Sequence, residues 1–332
     1  MEAPRLLSVL RAHANAANVA GMARYGINSK GTLGVGTDDR FLSSVKLAGW
    51  QTAQDDGLPH TSAVDLMRSK ETSFPALWVS FPLAVLVAIT ACAGLWWPPT
   101  YARESALWAA EGMGGDAVNL VVIVPVLLLS AGLAQRGSIR ARLVWMGTLV
   151  FLLYNFVVYA MAVHFNALFL AYCGILGGSF YALVGSLPSL SPADVAGVYG
   201  RRAPVKTMAV VLGLIGVVFA ALWLREIIPA LISGHTPQSI ADSGLITNPI
   251  HVLDLSFLLP GLIVTAIQLL RRRAVAFVLA PVLMVFCILM TVAIAGMMVA
   301  MSFGNFAADY TMAAFFLASA AGCTALLVRY FR

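Results

Sequence analysis

The chain has 332 residues and a mass of 35.2 kDa; 60% of its residues are apolar, 11% are charged, the formal net charge is +6 and the mean hydropathy is +0.86. A soluble domain carries about a quarter charged and about half apolar residues, so this composition excludes a soluble enzyme, a disordered tail, a collagen and a disulfide scaffold. It indicates an all-α, polytopic membrane bundle whose partner is the lipid bilayer.

Residues 1–73 stand apart, with eight of the 21 basic and seven of the 15 acidic residues. They contain no apolar run followed by a small-residue cleavage site, so the first span reads as an uncleaved insertion signal. Asn15-Ala-Ala-Asn-Val-Ala-Gly-Met-Ala-Arg-Tyr-Gly-Ile-Asn28, followed by Thr32-Leu-Gly-Val-Gly36, resembles the opening segment of the HEAT-like DNA alkylation-repair glycosylase family. In that family the segment forms the first helices of a solenoid. The resemblance implies shared ancestry of residues 15–36, through a gene fusion or a start site read through upstream sequence. The family's catalytic aromatic and Asp residues lie in later repeats, and nothing in this chain corresponds to them. A solenoid needs at least three repeats to bury a continuous core, so neither glycosylase activity nor a nucleic-acid partner is expected. One or two short helices, a Gly-rich turn at 31–36 and a loose linker over 50–72 are expected here.

A spanning helix needs about 20 predominantly apolar residues. Eight stretches qualify, at 74–97, 117–135, 143–164, 166–188, 206–226, 250–270, 274–301 and 308–330. From Arg68 onward, thirteen Lys and Arg residues fall on one side of these spans and only Arg103 and Arg225 on the other. The positive-inside rule then places both termini in the cytoplasm of a bacterial-type inner membrane. Trp96, Trp97, Trp108 and Trp223 fall near the outer interface, where amphipathic rings are favoured. The acids sort oppositely: Glu104, Glu111, Asp116, Glu226, Asp242, Asp254 and Asp309 are outer, with His164, His235 and His251. Insertion does not force this bias, and an electronegative outer face attracts cations.

The four cysteines (Cys92, Cys173, Cys287, Cys323) lie in apolar spans without metal-motif spacing, which argues for packing rather than disulfides or zinc. The methionines of the seventh span read as packing or lipid-facing residues. Gly174, Gly177 and Gly178 of the fourth span read as close helix contact.

The second and sixth spans share a pattern. Asp116-Ala-Val-Asn-Leu-Val-Val-Ile-Val-Pro-Val-Leu and His251-Val-Leu-Asp-Leu-Ser-Phe-Leu-Leu-Pro-Gly-Leu both read polar, two residues, polar, Leu, four residues, Pro, one residue, Leu. A triply basic turn follows each. Four helices separate the copies, so the pattern suggests a parallel four-plus-four pseudo-repeat, with halves at 74–190 and 205–332 and an axis along the membrane normal.

Side chains three apart share a helical face, which pairs Asp116 with Asn119 and His251 with Asp254. His164 and Asp309 lie at the same level, and Asn155 with Tyr159 can form the floor of an outward-facing cavity, with Tyr154 nearby. Pro125 and Pro260 can kink the helices around it. Simpler roles compete: Asp116 after Gly114-Gly115, Asn166, Asp309, and Asn248 before Pro249 all suit N-caps. Arg225 with Glu226 suits an interfacial pair, and Tyr154 suits packing. Asp254 lies inside its span and is least explained by capping.

Ionisable groups inside a membrane are functional candidates by default. The reading is a protein that binds or transports a small solute or cation at Asp116, Asn119, Asn155, Tyr159, His164, His251, Asp254 and Asp309. The alternatives are an integral-membrane enzyme acting at the outer leaflet, and a structural or accessory subunit. The enzyme could be metal-dependent, since imidazole and carboxylate are common ligands of divalent ions; His251 and Asp254 are then the candidate ligands, although no HExxH signature is present. No charge falls near the bilayer midplane, which argues against an ion-driven pump.

Overall fold

The structure is a computed structural model that describes residues 76–199, 203–302 and 309–332. These belong to one unit of the chain, Lys70–Arg332. The segment that resembles the glycosylase family lies outside the described residues, as do its expected helices, turn and linker.

Eight helices are long and apolar enough to cross a membrane. They are α1 (Ala76–Trp96), α2 (Ala106–Gln135), α3 (Ile139–Ala162), α4 (Phe169–Ser186), α5 (Val205–Ser233), α6 (Pro249–Leu270), α7 (Ala274–Met301) and α8 (Tyr310–Tyr330). No strand occurs among the described residues. Short helices at Pro192–Tyr199 and Gln238–Ser243 fill two connections. The protein is thus a polytopic α-helical bundle.

Helix ends follow from local chemistry. The Ser105, Ser138, Asn248 and Asp309 side chains each accept a backbone N–H from the turn they open, as N-caps do. At the other end of α4, Arg142 donates to the Ser186 and Ser189 carbonyls, at 2.7 and 3.0 Å, which satisfies oxygens that the helix leaves unpaired.

Two spans differ from their expected bounds. α2 begins at Ala106, eleven residues before 117, so Asp116 sits inside a continuous helix and does not cap one. The cause is α7. Gly112, Gly114 and Gly115 interrupt the apolar run, and glycine in a helix costs about 1 kcal/mol relative to alanine. A Cβ on Gly114 would lie 2.5 Å from Met297 Cα and 2.8 Å from the Gly296 carbonyl, so only glycine admits this approach of backbones. α5 also runs two turns past 226, to a left-handed Gly234 with φ 70°. In α4, only Gly178 meets a close neighbour, Leu83, whereas Gly177 faces open space. The four cysteines are free thiols.

The contacts arrange the helices as two four-membered rings. α1 packs on α2, α2 on α3, α3 on α4, and α4 returns to α1; α5, α6, α7 and α8 do the same. The rings meet where α3 crosses α7, where the start of α2 meets α7, and where the start of α6 meets α3. Exchanging α2 with α6 and α3 with α7 maps these contacts onto themselves, as a pseudo-two-fold axis requires. α3 and α7 are accordingly the most enclosed spans and α8 the least. Their crossing is at Gly147, where a Cβ would lie 2.7 Å from the Val282 carbonyl.

The backbone carries the repeat as well. Asn119–Ile123 and Asp254–Leu258 are π-helical turns, one in each half, 135 positions apart. Proline follows each, at Pro125 and Pro260. Proline has no N–H, and its ring clashes with the carbonyl four residues back; a widened turn in front of it relieves that crowding. The Val124 and Leu259 N–H groups bond to Asn119 and Asp254 carbonyls, five residues back. The basic turns also match. Gly137 and Arg272 both have positive φ, 85° and 53°, and the N–H groups around them return to Leu133 and Ala134 in one half and Gln268 and Leu269 in the other. That is a Schellman closure in both.

Candidate functional site

The sequence-derived residues divide into two buried clusters and two separate surface positions. The first cluster surrounds Asp116, which is 1% exposed. Tyr101, from the α1–α2 loop, donates to its Oδ2 at 2.5 Å, and Tyr159 of α3 donates to its Oδ1 at 2.8 Å. Gly94 of α1 leaves room for the carboxylate; a Cβ there would overlap Asp116 Oδ2. One turn further, Asn155 Nδ2 donates to Asn119 Oδ1 at 3.3 Å, while Asn119 Nδ2 has no hydrogen-bond partner. Tyr172 packs edge-on against Tyr159. Burial above all, then the neighbouring Tyr159 and the Asp116 charge, push the Tyr101 phenol well above its ordinary range. Tyr101 therefore stays a neutral donor.

The second cluster surrounds Asp254, which is 6% exposed. Tyr154 of α3 donates to its Oδ1 at 2.8 Å, across the seam between the halves. Trp223 of α5 donates its indole N–H to Oδ2, also at 2.8 Å. His251 lies 4.6 Å from the Trp223 ring, centre to centre. Its Nε2 has no hydrogen-bond partner and sits 3.9 Å from Glu226 Oε2. The other Glu226 oxygen takes the backbone N–H of Ser239 at 3.0 Å. Glu226 therefore turns to Ser239 and His251, which replaces the interfacial pairing with Arg225 expected from their adjacency.

A buried carboxylate is costly unless donors satisfy it. Here each one has two, supplied by a phenol and either a second phenol or an indole. α3 serves both clusters. Tyr154 and Tyr159 are five residues apart, which turns them about 140° from each other around the helix axis. One therefore faces each half.

His164 and Asp309 belong to neither cluster. His164 is in the α3–α4 loop, where its backbone N–H and Nδ1 meet Glu104 at 2.8 and 3.1 Å. Asp309 is exposed and caps α8 through the Met312 N–H at 2.9 Å. The cavity expected around Asp116, Asn119, His251 and Asp254 is replaced by closed packing, because Tyr101, Tyr154, Tyr159 and Trp223 occupy the carboxylate oxygens. Among the described residues, no three His, Cys, Asp or Glu side chains converge as a metal site. A metal on His251 and Asp254 would have to compete with the Tyr154 and Trp223 donors for the carboxylate oxygens.

Tyr101, Trp223 and Glu226 are the site residues that the sequence reading passes over. Trp223 reads as one of several interfacial tryptophans, and Tyr101 lies in a loop. Only the i, i+3 relation of Trp223 to Glu226 offers a local signal, since it places both on one face of α5.

No family model matches this chain, and neither curated proteins nor solved structures provide a match.

Proposed function

We propose that the protein binds a small cation or small cationic solute in the membrane and passes it between the two faces, with Asp254 and Asp116 as its anionic centres. One observation carries this reading. The Asp254 carboxylate is buried at the first residue of a π-turn, and its donors come from both halves of the bundle. π-turns inside α-helices are frequent at functional sites, and transporters built from repeats place their sites where the repeats meet. The closed packing then corresponds to an occluded state, in which Tyr154 and Trp223 hold the carboxylate until a cation replaces them.

The ends of the bundle support a direction. Seven acids lie toward the end of the bundle where α5 finishes and α2, α6 and α8 begin, and the arginine turns lie at the opposite end. Such a field concentrates cations at the acidic end. With the arginines inside, both termini are cytoplasmic and the acidic end faces outward, in a bacterial-type inner membrane.

The test is ligand-dependent thermal stability of the purified full chain with sodium, potassium, methylammonium, choline and putrescine. At least one should give a saturable rise in melting temperature that Asp254→Asn abolishes. If none stabilises the wild type, or Asp254→Asn responds identically, the reading fails.

A second reading rests on His251. Its unpartnered Nε2 faces Glu226, whose side chain is 29% exposed. An imidazole and a carboxylate near the membrane surface suit general acid–base catalysis on a substrate of the adjacent leaflet. Turnover lost in both His251→Gln and Glu226→Gln, without loss of cation binding, would select it.

A further inference from the structure

A cleft of about 230 Å³ opens at the acidic end between the α1–α2 and α3–α4 loops, and neither buried carboxylate lines it. Trp97 and Phe165 supply aromatic wall, and Arg103, His164, Thr100 and Asn166 supply its polar groups. The loops are stitched together. Arg103 Nη1 donates to the Phe165 carbonyl at 3.4 Å, Asn166 Nδ2 donates to the Thr100 carbonyl at 3.2 Å, and Glu104 takes both the N–H and the Nδ1 of His164. A cleft held by four crosslinks is preorganised, which lowers the ordering cost of binding.

The charges in this cleft run against their surroundings. Arg103 is one of only two basic residues at an end with seven acids, so topology does not account for it. Among the described residues no carboxylate pairs with Arg103, and the Phe165 carbonyl is its one hydrogen-bond acceptor. Four of its five N–H donors are therefore free. Glu104 is 2% exposed at its side chain and devotes both oxygens to His164, whose side chain is 54% exposed. With a carboxylate on Nδ1 the ring is fixed, and an anion at Nε2 is met by the imidazolium form, in which both ring nitrogens donate.

We propose that this cleft binds a phosphate group between the Arg103 guanidinium and His164 Nε2, with the ligand's carbon skeleton against Trp97 and Phe165. The guanidinium fork matches phosphate geometry, and apolar walls with a few convergent polar groups are the usual form of a small-ligand site. Trp96 and Trp97 are both exposed beside the cleft, at the level where interfacial aromatics meet lipid headgroups. The phosphate can therefore come from an anionic lipid headgroup or from a soluble phosphate monoester.

The test titrates the purified full chain, in neutral detergent at constant ionic strength, with phosphatidylglycerol in mixed micelles and separately with glycerol 3-phosphate, following melting temperature. Two variants accompany the wild type. Arg103→Gln removes the guanidinium, and Ala167→Trp fills the cleft from an exposed position without removing any of the four crosslinks. A saturable rise with either probe is expected, with half-saturation at least about ten-fold weaker in both variants, the size of one lost charge-assisted bond. A rise with the lipid alone assigns the headgroup, and a rise with glycerol 3-phosphate alone assigns a soluble ligand. No saturable rise with either probe, or unchanged half-saturation in Ala167→Trp, overturns the proposal even if Arg103→Gln does not fold.

Discussion

Tyr154 and Asp254 stand 100 positions apart in the chain and 2.8 Å apart in the bundle. Their bond crosses the seam between the halves and ties α3 to the π-turn of α6. Its partner in the first half, Tyr159 to Asp116, stays within one ring of helices. The pseudo-repeat is thus close in the backbone and unequal in its side chains. Asn119 stands where Asp254 stands, and Asp116 where His251 stands. Each half keeps one carboxylate, but at different rungs of the equivalent helix. Duplicated backbones with divergent polar residues can hold two unlike sites at similar depth, and α3, touching both, is positioned to couple them.

The Asp254 cage can be dissected by substitution. Tyr154→Phe and Trp223→Phe each leave one carboxylate oxygen without its donor, which should cost about 1–3 kcal/mol. On an Asp254→Leu background the acceptor is gone, so Tyr154→Phe should cost less than about 0.5 kcal/mol, and Trp223→Phe should retain only the packing loss of its smaller ring. Equilibrium unfolding in mixed micelles measures all the variants. Hydrogen bonds inside membrane proteins average about 0.6 kcal/mol, so values at the upper end would mark Asp254 as a charged acceptor. Equal costs on both backgrounds would show that the bonds contribute nothing to stability.

Tyr101 gives the first cluster a pH signature. Its phenol is raised by burial and by its neighbours Tyr159 and Asp116, so the folded state keeps a proton that the unfolded chain releases near pH 10. A group raised in this way contributes stability fully below the unfolded value, and that stability is lost as pH rises above about 10. The melting temperature should therefore fall between about pH 9.5 and 11. Tyr101→Phe, which has no proton to lose, should be less stable at pH 8 and decline less steeply. Parallel declines in the two proteins would contradict the cage.

Much of the fold was legible in apolar runs alone. The span 274–301 coincides with α7, and the Asn248-Pro249 start of α6 follows from the preference of those residues for the first helical positions. α2 was legible only in part, because the residues that hide its start serve tertiary contacts: Gly112, Gly114 and Gly115 look like a loop, yet Gly114 and Gly115 face α7 and Gly112 faces the Tyr101 ring. The carboxylates themselves stand out, since acids inside spans are rare. Their partners do not, because Tyr101 and Trp223 reach them from other segments, 15 and 31 positions away. No periodicity reports a contact of that kind. The closed state of the site is hidden for the same reason, since it depends on four aromatic side chains that each resemble ordinary packing.

Orientation is open to direct measurement. A fluorescent protein fused after Arg332 should fold and emit, because it would lie in the cytoplasm. Alkaline phosphatase inserted in the α5–α6 connection at Thr236 should be active, because it would lie outside. The reverse pattern would place the arginine turns outside and reverse the direction of the proposed cation path.

The glycines separate close contact from mere composition. Gly114→Ala should destabilise the protein by about 1–3 kcal/mol, because its Cβ would meet the Met297 Cα and the Ala300 Cβ, and backbone cannot turn aside as a flexible side chain can. The strain should also spread to the first cluster, since Asp116 lies only two residues on. Tyr101→Phe should therefore cost less in the Gly114→Ala protein than in the wild type. Gly177→Ala provides the contrast. Its Cβ would meet nothing within 4 Å, so the gain in helix propensity should leave stability unchanged or raise it by up to about 1 kcal/mol. Unfolding in mixed micelles tests both, and equal effects at positions 114 and 177 would mean that α2 and α7 do not approach as closely as the glycines allow.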